Sequence, residues 1–208
     1  MSESTGGFRG LLGIPQLYDA LQSALGAGRF RAIVARDYVQ AGVGDRLLDV
    51  GCGTGQMARF FPQADYLGVD LSERYVAFAR ARFGAWGRFV CGKAQKLPPE
   101  VAGSFDIVLA VALLHHLGEE EAMSFVRSAH GLLRPGGRFI TVDPCYASGQ
   151  SPVARFIIDR DRGLMVRDPG GYEQVAHAAF SHVQSEVRHD LARIPYTHCV
   201  LVCHRTEP

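Results

Sequence analysis

An acid at the end of an apolar run is followed at once by three alternating glycines, in Leu47-Leu48-Asp49-Val50-Gly51-Cys52-Gly53-Thr54-Gly55. Glycines at a turn let backbone approach a bound molecule that any Cβ would hold off. Apolar residues continue at Met57, Phe60 and Phe61 with helix-like spacing. The segment should therefore run from a buried strand through a tight turn into a helix, whose first N–H groups face the turn. A polar or anionic ligand is expected at the strand's carboxyl end, where open α/β sheets bind ligands. The spacing narrows the chemistry. A dinucleotide fingerprint needs glycine where this chain has Gln56, and a Walker-type phosphate loop needs Gly-Lys-Ser/Thr, which does not occur.

A second acid, Asp70, ends the apolar stretch Tyr66-Leu67-Gly68-Val69. It lies about 20 residues past the first glycine, the spacing at which a carboxylate meets a ribose diol. Its other possible role is to cap the helix expected over 73–83, and Ser72 can do that alone. His115 and His116 follow the dense apolar run 105–114. Imidazoles titrate near neutrality, so either can act as a general base toward a hydroxyl, or both can hydrogen-bond structurally at a helix start. The five cysteines, Cys52, Cys91, Cys145, Cys199 and Cys203, are odd in number and scattered. That suits a reducing cytoplasm better than a disulfide framework, and no metal is expected, since the Cys-x-x-Cys spacing of zinc sites is missing. Cys52 reads as a small spacer within the glycine turn.

These residues need a scaffold, and the chain alternates accordingly. Helices are expected over 15–25 and 29–41, the second with Phe30, Ile33, Val34, Asp37, Tyr38 and Ala41 on one stripe and Gly42 ending it. Strands are expected over 46–50, 66–69, 89–91, 105–110 and 139–142, with a helix over 119–133. Apart from Asp106 the run from Phe105 through Leu114 is apolar, as in a strand buried on both faces of a parallel sheet. Strand and helix alternation implies parallel strands with right-handed crossovers. After Asp143 the rhythm changes. Segments 183–191 and 197–203 read as strands joined through Pro195, and so short a link makes them pair antiparallel or lie apart. The 197–203 segment reads as a half-buried strand at the sheet edge.

The motifs Asp-x-Gly-x-Gly-x-Gly at 49–55, Val69-Asp70, Phe105 to Leu117 and Leu132-Leu133-Arg134-Pro135-Gly136-Gly137 resemble, in type and order, those of class I S-adenosylmethionine (SAM) methyltransferases. The likeness runs from about residue 45 to 143 and in outline to the C-terminus. It implies an α/β, Rossmann-like, doubly wound and mostly parallel seven-stranded sheet with an antiparallel C-terminal strand, in a single domain over 1–208. It implies SAM as cofactor, S-adenosylhomocysteine (SAH) as product, and cofactor contacts from Asp49, Gly51, Cys52, Gly53, Gly55, Gln56, Asp70, Leu71, Ala94, Gln95, Ala110, Val111 and Tyr18. Family members with a similar Leu-His-His-Leu place the second His toward the acceptor, which favours His116 over His115. One position departs from the pattern: Lys93 stands where members carry an acid for the adenine amine. A lysine has no acceptor, which leaves the amide oxygen of Gln95, the N–H of Ala94 and apolar contacts.

Methyl transfer from a sulfonium needs mainly an acceptor held in line and water kept out, an effect worth up to about 7–11 kcal/mol. Specificity is therefore expected outside the motifs, in the N-terminal helices over 1–41 with Tyr18 and Asp19, and in an insertion or lid over 144–172. Arg155, Arg162 and Arg167 there could bind an acceptor anion, or pair with Asp159, Asp161 and Asp168. Tyr146, Tyr196 and His198 are further candidates for the pocket. A net charge of +1 over 208 residues argues neither for nor against a nucleic-acid or membrane partner, and none is expected. No apolar stretch reaches the ~18 residues of a membrane span, and residues 1–10 lack the apolar core of a signal peptide. The expected acceptor is a small molecule, methylated on O or N. A SAM- or SAH-binding protein without transferase activity, and a methyltransferase acting on a macromolecule, remain open. Gln56 opposes a nicotinamide dehydrogenase, and the lack of Asn/Asp-Pro-Pro-Tyr/Phe opposes the adenine-N6 group.

Overall fold

The computed structural model describes residues 26–160 and 163–206. Five strands alternate with turns and helices in the order the sequence implies: β1 Arg46–Val50, β2 Asp65–Asp70, β3 Arg88–Cys91, β4 Phe105–Val111 and β5 Leu133–Pro144. Two more follow, β6 His182–Arg188 and β7 His198–His204. They form one sheet in the order β3-β2-β1-β4-β5-β7-β6. Neighbours from β3 to β5 pair in parallel, and β7 runs antiparallel to both β5 and β6. The 197–203 segment is thus not the sheet edge. Cys199 to Leu201 and Cys203 are buried because β6 closes the outside.

Helices cover both faces. Along β4, Val108 and Ala110 join one apolar cluster, and Ile107 and Leu109 the other, as the period of two requires. On the first face pack α3 (Glu119–Leu132), through Phe125, Val126 and Ala129, and α5 (Pro169–Ala176), through Tyr172 and Val175. On the second pack α1 (Ala27–Val34) and α2 (Glu73–Phe83), the latter through Val76, Ala79 and Phe83. Starts follow local chemistry. The Ser72 hydroxyl accepts from Tyr75 N–H, Ser151 caps α4 (Pro152–Ile158), and Asp168 caps α5, both of the latter ahead of a proline at the first turn. Three glutamates open α3 where the helix dipole favours them.

Several expectations need correction. The glycine turn does not open into a helix: only one 3-10 turn, Ala58–Phe60, forms. Pro62 follows Phe61 directly, disfavours helical backbone in it, and leaves too few residues before β2. The first described helix continues as a π-helical stretch, Ala35–Val39, and ends at Gln40, which is left-handed at φ 44°, rather than at Gly42. The Arg-Pro-Gly-Gly stretch does not precede β5 but bulges within it: Phe105 pairs with Leu133, then Ile107 with Arg138. Gly137 is needed there, because a Cβ would lie 2.9–3.1 Å from the carbonyls of Arg134, Phe105 and Asp106.

Candidate functional site

The carboxyl ends of β1, β2 and β4 meet around the glycine turn. Gly51, Gly53 and Gly55 all have positive φ (76°, 53° and 78°), where L side chains are strained. Their reasons differ. A Cβ on Gly55 would lie 2.8 Å from Ala79 Cβ and from the Phe89 ring, so this glycine lets α2 and β3 close on the turn. A Cβ on Gly53 would meet nothing within 4 Å; it would project into the cleft. Asp70 staples the turn: one carboxylate oxygen accepts from Gly53 N–H and the other from Ser72 N–H, both at 2.8 Å.

Two lobes flank Gly51, which lines both. One, of about 210 Å³, is walled by Asp70, Leu71, Lys93, Ala94, Gln95 and, from β4's continuation and α3, Leu113, Leu117 and Phe125. Leu71 is 69% exposed here, an apolar wall open to a ligand. The other lobe, of about 130 Å³, is walled by Asp49, Cys52, Gly53, Thr54, Gln56 and Val111, together with Phe30 and Arg31 from α1. The turn, strand and post-β3 residues singled out in the sequence therefore come together, with exceptions. Ala110 is fully buried in the core; strand alternation presents Val111 instead. Gly55 packs the scaffold and does not line either lobe. Tyr18 and Asp19 lie outside the described residues, as do Asp161 and Arg162.

Sequence reasoning missed Arg31, Thr54, Ala112, Leu113 and Phe125. Ala112 is left-handed (φ 53°) at the lip of β4, a strained conformation of the kind that collects at functional sites. Alanine gives no warning of it. Phe30 stood in the helix stripe as a core residue.

Burial dominates the electrostatics of the second lobe. Asp49 is 2% exposed and accepts from the Tyr66 hydroxyl. Desolvation pushes its carboxyl up to about 7, with the charge of Asp70 adding and the Tyr66 bond and Arg31 opposing. Burial, then Asp49 and Asp70, push the Cys52 thiol far up, so it stays protonated, in keeping with a spacer.

The two histidines are placed differently. His115 is buried, its Nδ1 2.8 Å from Asp143, whose other oxygen accepts from Thr141. His116 is exposed on the same 3-10 turn, Leu114–His116. Neither imidazole lines the two lobes. Arg167 turns inward rather than toward an acceptor. It donates to the carbonyls of Leu114 and Leu117 at 3.0 and 2.8 Å and pairs with Glu119 at 3.2 Å, pinning that turn. Arg155 lies over the Tyr146 ring, whose hydroxyl donates to Asp159.

Residues 48–141 match the family described as methyltransferase domain. The match takes in a little less than half of the chain and is to methyltransferase domains. Among curated proteins it is 35% identical over 99 residues to a ubiquinone biosynthesis O-methyltransferase of Bordetella avium, covering 45% of this chain and 40% of that protein. It is 40% identical over 106 residues to a fatty-acid O-methyltransferase of Mycolicibacterium smegmatis, covering 48% and 37%. The matched segment thus spans about two fifths of these relatives' length. Among solved structures, the 4+2 cyclase SpnF superposes with a TM-score of 0.69 at 22% identity, over 86% of this chain and 82% of that one.

The geometry of the cleft fits SAM. The Gly53 cradle leaves room that a Cβ would fill, and Asp70 stands at the turn between the lobes. The buried Asp49 places a carboxyl group in the wall of the smaller lobe. All five cysteines are free thiols. Among the described residues no helix is long and apolar enough to cross a membrane, and no cluster of His, Cys, Asp or Glu could hold a metal ion.

Proposed function

We propose that this protein transfers a methyl group from SAM to a small-molecule acceptor, on oxygen or nitrogen, and releases SAH. The observation that carries the reading is the two-lobed cleft divided at Gly51. In this assignment the larger lobe takes adenosine, with Asp70 accepting from the ribose hydroxyls. Leu71, Leu113 and Phe125 sandwich the base, whose edge meets Ala94 N–H and the Gln95 amide. Lys93, without an acceptor, contributes its stem. The smaller lobe takes the amino-acid end, with Asp49 facing its cationic group and the Arg31 guanidinium serving its carboxylate. When bound, the cofactor supplies a methyl group already activated on a cationic sulfur. The chain's own part is then to orient an acceptor and exclude water.

The segment 144–172 is assigned to the acceptor side, since it leaves the carboxyl end of β5 and returns over the Leu114–His116 turn. His116, exposed on that turn, is the base for a hydroxyl acceptor. His115, held by Asp143, keeps the turn in place. The O-methyltransferase names of the two relatives support oxygen as the acceptor atom. Free thiols support a reducing compartment such as the cytoplasm.

A fold does not by itself fix an activity, so binding and turnover are tested separately. Calorimetric titration should give micromolar affinity for SAM and SAH and none for NAD⁺; NAD⁺ binding would overturn the cofactor assignment. With an acceptor in hand, His116→Ala should depress turnover without changing SAM affinity. Equal, mild effects of His116→Ala and His115→Ala would remove the base from the scheme.

A further inference from the structure

Half of the large apolar side chains left exposed among the described residues belong to one stretch: Val153 and Phe156 on α4, then Leu164 and Met165. Leu164 is 89% exposed and Met165 47%. Single exposed leucines are ordinary, but an apolar pair pinned in solvent marks a contact surface. This pair is pinned. Met165 N–H donates at 3.1 Å to the His115 carbonyl, part of the peptide that joins His115 to His116. Gly163 lies flush on the same residue: a Cβ there would come within 1.8 Å of His115 Cδ2 and 2.7 Å of its carbonyl oxygen. Beyond the pair, Arg167 donates to the Leu114 and Leu117 carbonyls at 3.0 and 2.8 Å. The tip formed by Leu164 and Met165 is therefore clamped to the histidine turn on both flanks.

That turn belongs to the cofactor cleft. Leu113 and Leu117, which bracket the turn, line the larger lobe, and Val111 and Ala112 line the smaller one. His116 is exposed on the turn itself. Met165 is one hydrogen bond from the peptide before His116, and Leu164 is one residue further, about 3.8 Å between Cα atoms. Tip and cleft thus stand on the same few residues. The charges beside the tip are spent within the fold. Arg167 pairs with Glu119 at 3.2 Å, and Asp168 accepts from Gly171 N–H at 2.7 Å. What the tip presents is apolar surface next to an imidazole.

We infer that Leu164 and Met165 are the apolar lip of the acceptor site, and that the acceptor is a hydroxyl compound with a hydrocarbon tail. The hydroxyl turns to His116, and the tail covers the two side chains, removing from water the surface that the clamp holds out. The clamp is what selects this occupant, because a molecule covering the tip lies against the turn that carries His116. The inference rests on the methyltransferase reading above, and the experiment keeps the two apart.

The full-length protein saturated with SAH is titrated calorimetrically with 4-methylphenol, 4-propylphenol and 4-pentylphenol. A fully buried methylene is worth about fourfold in affinity. A tail on an open lip should gain about twofold per methylene, and so at least about tenfold from methyl to pentyl. Leu164→Ser combined with Met165→Ser should cut that gain to about threefold or less and leave SAH affinity unchanged. Leu164→Met should keep the gain, as should Val43→Ser, which alters an 81% exposed valine outside the segment. No phenol binding, a flat series, or a gain that the double variant retains would overturn the site. A gain lost in Val43→Ser as well would reduce it to unspecific partitioning and would also overturn the assignment. If the series is flat and the double variant instead abolishes sedimentation with phosphatidylcholine vesicles or splits a dimer, the tip is a membrane or subunit contact and the acceptor assignment falls. Failure of the unmodified protein to bind SAH would strike at the methyltransferase reading itself.

Discussion

Replacing Asp49 with Asn isolates the buried charge beneath the smaller lobe. Burial holds this carboxyl at about 7 in the folded chain, whereas an unfolded aspartate titrates near ~3.9. Between those values the folded state binds more protons than the unfolded one, so stability falls as pH rises. The contribution is complete below pH ~3.9 and lost once pH passes about 7. At ~1.36 kcal/mol per unit the whole window amounts to roughly 4 kcal/mol, more than half of it between pH 5 and 8. The Asn variant removes the titration yet keeps an amide oxygen for the Tyr66 hydroxyl. Urea unfolding of both proteins without cofactor gives the comparison, since every other group titrates in both. Relative to the unmodified protein, Asp49→Asn should gain roughly 2–3 kcal/mol between pH 5 and 8. At the same time its SAM affinity should fall at least tenfold, because a neutral amide no longer answers the cofactor's cationic group. Identical pH dependence in the two proteins would refute the raised carboxyl. An unchanged affinity would refute its place in the cofactor site.

Asp70→Ala removes both the ribose acceptor and the staple on Gly53 and Ser72, and calorimetry should show SAM affinity reduced ~10–100-fold, at ~1.4 kcal/mol per tenfold. The glycines should separate by function: Gly53→Ala, whose Cβ meets no protein atom, should cost about 1–2 kcal/mol from its left-handed backbone while abolishing measurable SAM binding. Gly55→Ala should cost a further 1–3 kcal/mol for overpacking against Ala79 and Phe89, read as a lower denaturation midpoint. Arg167→Ala strips charged donors from two carbonyls of the Leu114–Leu117 turn and should destabilise the fold by about 2–3 kcal/mol. A loss below ~0.5 kcal/mol would show that the turn holds without its strut.

What was legible from residue order was local. An apolar run closing on Asp49 and three spaced glycines can be little other than a strand entering a ligand turn, because glycine adopts those dihedrals without the strain a Cβ brings. Asp70 at the end of the next strand, Ser72 before α2 and Pro169 after Asp168 are equally local. They set β1, β2, the helix starts and the turn side of the cleft. The helix expected after Gly55 was misread because the apolar spacing outweighed Pro62, whose ring restricts the residue before it.

The other wall of the cleft required the fold. Phe30 and Arg31 reach it only because α1 crosses the carboxyl edge, and Phe125 only because α3 packs against β4. Strand alternation made Ala110 core and Val111 cleft, a choice of register that an unbroken apolar run does not reveal. The left-handed Ala112 is imposed by the chain's passage from β4 to the histidine turn and is foreign to alanine's own preference. Arg167, which looks in sequence like an anion binder, became a strut because distant carbonyls were brought within 3.0 Å of it. Residue type determines what a group can do; which groups face one another depends on contacts between residues far apart in the chain, and those only the packed sheet decides.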